Sequence, residues 1–74
     1  MNRYQFRLSI SAPRLLEYYR GNASVVSVVS TQGQRIQFPA SRLRQHARRD
    51  GVHGRFELQV SDQGRFLALE RVGD

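Results

Sequence analysis

The sequence predicts an α+β fold: a small five-strand, mainly antiparallel sheet with two short helices, in the order β-α-β-β-α-β-β. Three observations predict it. Residues 3–10 alternate strictly between polar and apolar. Residues 12–20 carry start and stop signals of a helix. Two further pairs of apolar runs are each broken by a Gln-Gly turn, at Gln32-Gly33 and Gln63-Gly64.

In the first segment Tyr4, Phe6, Leu8 and Ile10 share one face, and Arg3, Gln5, Arg7 and Ser9 the other. A period of two over this length is that of a half-buried strand. Ser11 then suits an N-cap, and Pro13 is tolerated in the first helical turn, where its missing N–H has no partner to lose. Leu15, Leu16 and Tyr19 give the expected apolar stripe, and Gly21 suits the left-handed position just past the helix end.

Residues 23–31 are rich in valine, with Val25 and Val26, Val28 and Val29 falling on both sides. Branched residues on both faces predict a strand covered on both faces. Residues 34–38 follow as its hairpin partner, with Ile36 and Phe38 inward, and Pro39 stops the strand. Ser41 is placed as the cap of a second, shorter helix over 42–48, with Leu43 and Ala47 on its inner side at i, i+4. Asp50, Gly51 and Gly54 mark a loop around Val52 and His53. A last hairpin pairs 55–60, with Phe56, Leu58 and Val60 on one face, and 66–72, with Leu67 and Leu69 inward. The expected core is Phe6, Leu8, Leu15, Val26, Val28, Ile36, Phe38, Phe56, Leu58 and Leu69.

Two topologies fit this order. The first six elements match a split βαβ, ferredoxin-like arrangement; the other is an antiparallel meander with both helices on one face. Ser30-Thr31-Gln32-Gly33 and Ser61-Asp62-Gln63-Gly64 echo one another, which suggests a duplication or simply common turn chemistry.

With 74 residues, the chain is expected to form a single domain, 1–74. A domain of this size buries only about 60% of its unfolded surface. Cysteine is absent, which excludes disulfides and thiolate metal sites. Self-association is then the expected extra source of stability, and a homodimer joined through the valine strand is one reading. There is no signal-peptide pattern and no apolar run of about 20 residues, so a cytoplasmic location and no membrane partner are expected.

Catalytic and metal chemistry find little support. His46 and His53 are the only histidines, short of the three or four ligands of a zinc site. Asp50 and His53 could orient and act as a base, but nucleophilic catalysis also needs a serine in reach. The six acids, Glu17, Asp50, Glu57, Asp62, Glu70 and Asp74, are scattered. No enzyme activity, cofactor or metal is expected.

The charge is the stronger signal. Twelve arginines and no lysine face six acids, for a formal net charge of +6. Such a balance attracts phosphate backbones and acidic proteins, and arginine forks onto phosphate better than lysine does. Codon bias alone can also produce an all-arginine set. The candidate anion or nucleic-acid contacts are Arg42, Arg44, Arg48 and Arg49 around the second helix, with Arg3, Arg7, Arg35 and Arg55 at outward strand positions. The stretch Gly54-Arg55-Phe56-Glu57-Leu58 is a poor match to an RNA-recognition strand, because its aromatic points inward.

Several stretches carry a resemblance: Arg35-Ile36-Gln37-Phe38-Pro39-Ala40, Leu43, and Gly51-Val52-His53-Gly54-Arg55-Phe56-Glu57-Leu58. With Ile10-Ser11-Ala12 and Tyr18-Tyr19, they resemble a family of short bacterial proteins known only as domain of unknown function 2835. The resemblance spans nearly the whole chain. It implies a bacterial, mainly gammaproteobacterial, stand-alone protein, and supplies no catalytic or binding residues. Gln45-His46-Ala47-Arg48-Arg49 is more basic than that family's pattern.

Overall fold

In the computed structural model, which describes residues 1–21 and 24–74, the chain runs β1 (Asn2–Ser11), α1 (Ala12–Tyr19), β2 (Val25–Val29), β3 (Arg35–Pro39), a 3-10 helix (Ala40–His46), β4 (Gly51–Val60) and β5 (Phe66–Gly73). Ala23, the expected start of the valine strand, lies outside the described residues.

The strands do not form one five-strand sheet, and both expected topologies are corrected. β1, β4 and β5 make a three-stranded antiparallel sheet with β4 in the middle; β2 and β3 make a separate antiparallel pair. The reason is cover. The inner face of the larger sheet carries Phe6, Leu8, Ile10, Val52, Phe56, Leu58 and Leu69, all buried. One sheet cannot hide its own apolar face and needs a second layer. Hairpin β2–β3 supplies it: Phe38 stacks on Phe6 with ring centroids 5.8 Å apart, and Phe6 stacks in turn on Phe56 at 6.5 Å. The hairpin's other face stays open, with Val25 and Val29 exposed, so the valine strand is covered on one face rather than both.

Helix α1 begins as expected: Ser11 Oγ accepts the Arg14 N–H at 3.5 Å. It ends at Gly21, whose φ of 82° is left-handed and whose N–H donates to the Tyr18 carbonyl at 3.1 Å. Its inward residues are Leu15 and Tyr18, at i, i+3, whereas Leu16 and Tyr19 face out.

The second helix is corrected in type and span. A 3-10 helix has three residues per turn, so Ala40, Leu43 and His46 line its inner side. Leu43 is fully buried and Ala47 is exposed. Pro39, not Ser41, stands at the cap position, with no side-chain hydrogen bond. His46 reaches the Leu69 carbonyl at 2.8 Å and meets the Phe56 ring edge-on at 5.0 Å, which fastens this helix to the larger sheet.

The loop expected around 51–54 is the first part of β4, which pairs with β1 from Asn2↔Val60 to Ser11↔Gly51. Gly51 reads as a breaker in the sequence, but it sits where β1 turns into α1. Its φ is 115°, and a Cβ there would overlap the Ile10 carbonyl. On β5, Leu67 faces out although Leu69 faces in. The ladder runs Gln59↔Ala68 and then Val60↔Phe66, so Leu67 is the extra residue of a bulge, and the alternation resets there.

The two Ser-x-Gln-Gly turns are built alike. Gly33 and Gly64 N–H donate to Ser30 and Ser61 carbonyls at 2.9 Å each. Ser30 Oγ accepts from Gln34 N–H at 3.2 Å, and Ser61 Oγ from Arg65 N–H at 3.0 Å. Their hairpins belong to different sheets, so the repeat is one of turn chemistry.

Candidate anion-binding face

Alternation along β1 and β4 gives the larger sheet a second, solvent-facing side. Register places the side chains in rows: Arg3 beside Gln59, Gln5 beside Glu57, Arg7 beside Arg55, and Ser9 beside His53. None of these is Phe, Tyr or Trp. On β5, Glu70 extends the Glu57 row.

The acid in the middle of this face is already satisfied. Glu57 accepts from Gln59 Nε2 at 3.0 Å and Gln5 Nε2 at 3.3 Å, with Arg3 Nε at 4.0 Å. Arg7 and Arg55, one row along, stand directly opposite each other, and neither has a carboxylate within 4.0 Å among the described residues. Like charges facing each other across a ladder are destabilising. The Gln5 carbonyl accepts the Thr31 N–H at 2.7 Å, off the side away from β4. Backbone groups alternate along a strand, so Gln5 and Arg7 belong to the pairs that do not hydrogen-bond to β4. Pairs of this kind have the closer of the two Cα spacings of an antiparallel ladder, about 4.5 Å. A cleft of about 260 Å³ lies here, lined by Gln5, Phe6, Arg7, Thr31 and Arg55. The Arg55 guanidinium leans over Gly73, where a side chain would leave it no room.

The other candidate arginines are placed differently. Arg42 lies over the Phe66 ring at 4.7 Å and Arg44 over the Tyr19 ring at 5.1 Å, so two residues of one short helix point to different elements. Arg48 and Arg49 occupy the tight turn into β4, closed by Arg48 N–H to the Gly51 carbonyl at 2.8 Å. Arg35 is exposed on β3, opposite Val29, in the other sheet. The eight candidates therefore fall into separate groups, of which Arg3, Arg7 and Arg55 share one face.

One contact has no mark in the sequence. Ser9 Oγ lies 3.2 Å from His53 Nδ1, and His53 Nε2 lies 3.0 Å from the Asp50 carbonyl. A carbonyl only accepts, so Nε2 carries the proton and Nδ1 accepts from the serine hydroxyl. The Asp50 carboxylate stands 4.0 Å away. Ser9 is distant in sequence, and only the β1–β4 register reveals the pair. The contact lies on the open face, with the His53 side chain 42% exposed. Among the described residues no three His, Asp or Glu side chains gather as a metal site requires. Among them, too, no helix is long and apolar enough to cross a membrane.

No curated protein and no solved structure matches the chain. One family model does, over residues 2–72: that of proteins of unknown function, DUF2835. It takes in both sheets and every arginine discussed above, and the chain belongs to the DUF2835 family.

Proposed function

We propose that this protein is a non-enzymatic, cytoplasmic accessory module that holds an anionic partner, nucleic acid first among them, through arginine-to-phosphate contacts centred on the open face of the larger sheet. The observation that carries the reading is the Arg7–Arg55 row. A neutral residue at either position would relieve a like-charge contact, so the pair has its best physical explanation in an external anion. The net charge of +6 supplies the long-range attraction. Without an aromatic on the face, bases have no platform to stack on, and contacts to phosphate carry no sequence information. The Ser9–His53 contact, open to water, serves as a cross-strand tie.

Fluorescence anisotropy with labelled duplex and single strands tests this. Log affinity falls linearly with log salt, with little difference between sequences. An unrelated domain of equal charge binding just as well at about 50 mM salt would sink the reading.

A second reading, a protein-interaction module or homodimer, draws on Val25 and Val29, which are 49% and 56% exposed on the outer side of β2. Sedimentation decides it: a dimer abolished by Val29→Thr supports it, and an 8.5 kDa species at micromolar concentration removes it.

A further inference from the structure

We propose that Arg7 and Arg55, with Gln5 and Thr31, form a seat for one terminal phosphate, a phosphomonoester or free phosphate, rather than a stretch of a track along a polymer. The inference rests on the open face being anion-binding and adds which anion it takes.

Charge layout is the first argument. A track needs positive charge continuing along its length. Here the rows change sign: Arg7 and Arg55 are followed at once by Glu57 and Glu70, opposite each other on β4 and β5. A polymer laid along the strands would bring successive phosphates over that acidic row. A single phosphate would meet the two arginines alone.

Valence is the second. Two arginines at opposed positions of the β1–β4 ladder match a group that carries about two charges, as a terminal phosphate does at neutral pH, better than a diester with one. Each planar fork can donate two parallel N–H bonds.

The third is shape. The cleft of about 260 Å³ brings Arg7 and Arg55 together with Gln5, Phe6 and Thr31 in one lining. The Thr31 backbone is pinned by its hydrogen bond to Gln5, so the wall is set by the fold. Gln5 Nε2 is held by Glu57 at 3.3 Å, a long bond that leaves its second N–H for a ligand. The Arg55 head, resting on Gly73, needs only side-chain rotation to close on the phosphate.

The test is an amide-resolved NMR titration of the full chain with inorganic phosphate, ionic strength held constant with chloride. It is repeated with a nucleoside monophosphate and with a dinucleotide that has only its internal diester. Saturable shifts at Gln5, Phe6, Arg7, Thr31 and Arg55 with both monoester-class ligands, and much weaker ones with the diester, are expected. Tighter binding of the nucleotide than of phosphate would identify a nucleotide or strand end as the source, and equal binding would identify free phosphate. Arg7→Gln and Arg55→Gln should each weaken phosphate binding roughly tenfold, the order of one charged hydrogen bond. Arg42→Gln with Arg44→Gln should leave it unchanged. Both sheet arginines are exposed, so these variants keep the fold, and an unshifted amide pattern elsewhere verifies it. Shifts spread evenly over all surface arginines, or equal response to the diester, would overturn the seat. If oligonucleotides still bind in that case, the seat alone fails; if nothing anionic binds, the proposed function fails with it.

Discussion

Arg55 and Phe56 are neighbours on β4 and share almost nothing else. Phe56 is fully buried between the Phe6 ring and the His46 edge. Arg55 stands in water opposite a second arginine. On the inner face of the sheet the rings stack, and no buried side-chain polar atom among the described residues lacks a partner. The outer face is resolved around Glu57 and at the Ser9–His53 contact. The arginine row beside Glu57 has no carboxylate partner among the described residues. The difference teaches that folding determines one side of β4 and leaves the other open to solvent.

The contrast breaks first, if it breaks, on the buried side. Phe56→Ala should cost about 3–5 kcal/mol through reduced burial and the cavity left behind. That is most of the roughly 5 kcal/mol available to so small a domain, so the variant should be largely unfolded in thermal melts followed by circular dichroism. An unshifted transition would mean that the inner face is not the core.

Gly51→Ala comes next. The added methyl would meet the Ile10 carbonyl at a backbone angle that only glycine adopts readily. Strain of this kind costs about 1–3 kcal/mol before any clash is counted, and the melting temperature should fall by several degrees. A melt unchanged from that of the parent would show that the junction of β1, α1 and β4 is looser than described.

On the open side the sign reverses. Arg7→Gln relieves a like-charge cross-strand pair, an interaction of about 0.2–1 kcal/mol in either direction. The variant should be slightly more stable than its parent at low salt, and the gain should vanish as salt screens the pair. A clear loss of stability would assign Arg7 a structural role and remove the main reason to expect a ligand beside it.

How much of this is legible in the sequence follows from range. Alternation along residues 3–10 shows both faces of β1 from local pattern alone, and Ser11 with Gly21 brackets α1. Leu43 is visible as an inward residue, but an α-helical spacing of four points to Ala47, whereas Ala40, Leu43 and His46 repeat every three. Val52 is hidden as a core residue because flanking Gly51 and Gly54 look like loop residues; the inward series Val52, Gly54, Phe56, Leu58 is nonetheless present at period two. The Leu67 bulge leaves no local mark. Nor does the division into two sheets, since strand pattern does not say which strands pair. The candidate seat falls in the same class. Arg7 and Arg55 are each readable as outward, but only the β1–β4 register shows them opposed.

The most direct measurement compares two pairs of arginines on equal terms. Oligonucleotide affinity is followed against salt for the parent, for Arg7→Gln with Arg55→Gln, and for Arg42→Gln with Arg44→Gln; each pair removes the same charge. Arg42 and Arg44 rest on aromatic rings and point to separate elements, whereas the sheet pair has no carboxylate partner among the described residues. Neutralising the sheet pair should flatten the log–log salt slope by roughly one unit for each phosphate left without its arginine, and neutralising the helix pair should leave it close to the parent's. Equal flattening by both pairs would show that only total charge matters and would contradict the open face as the binding surface.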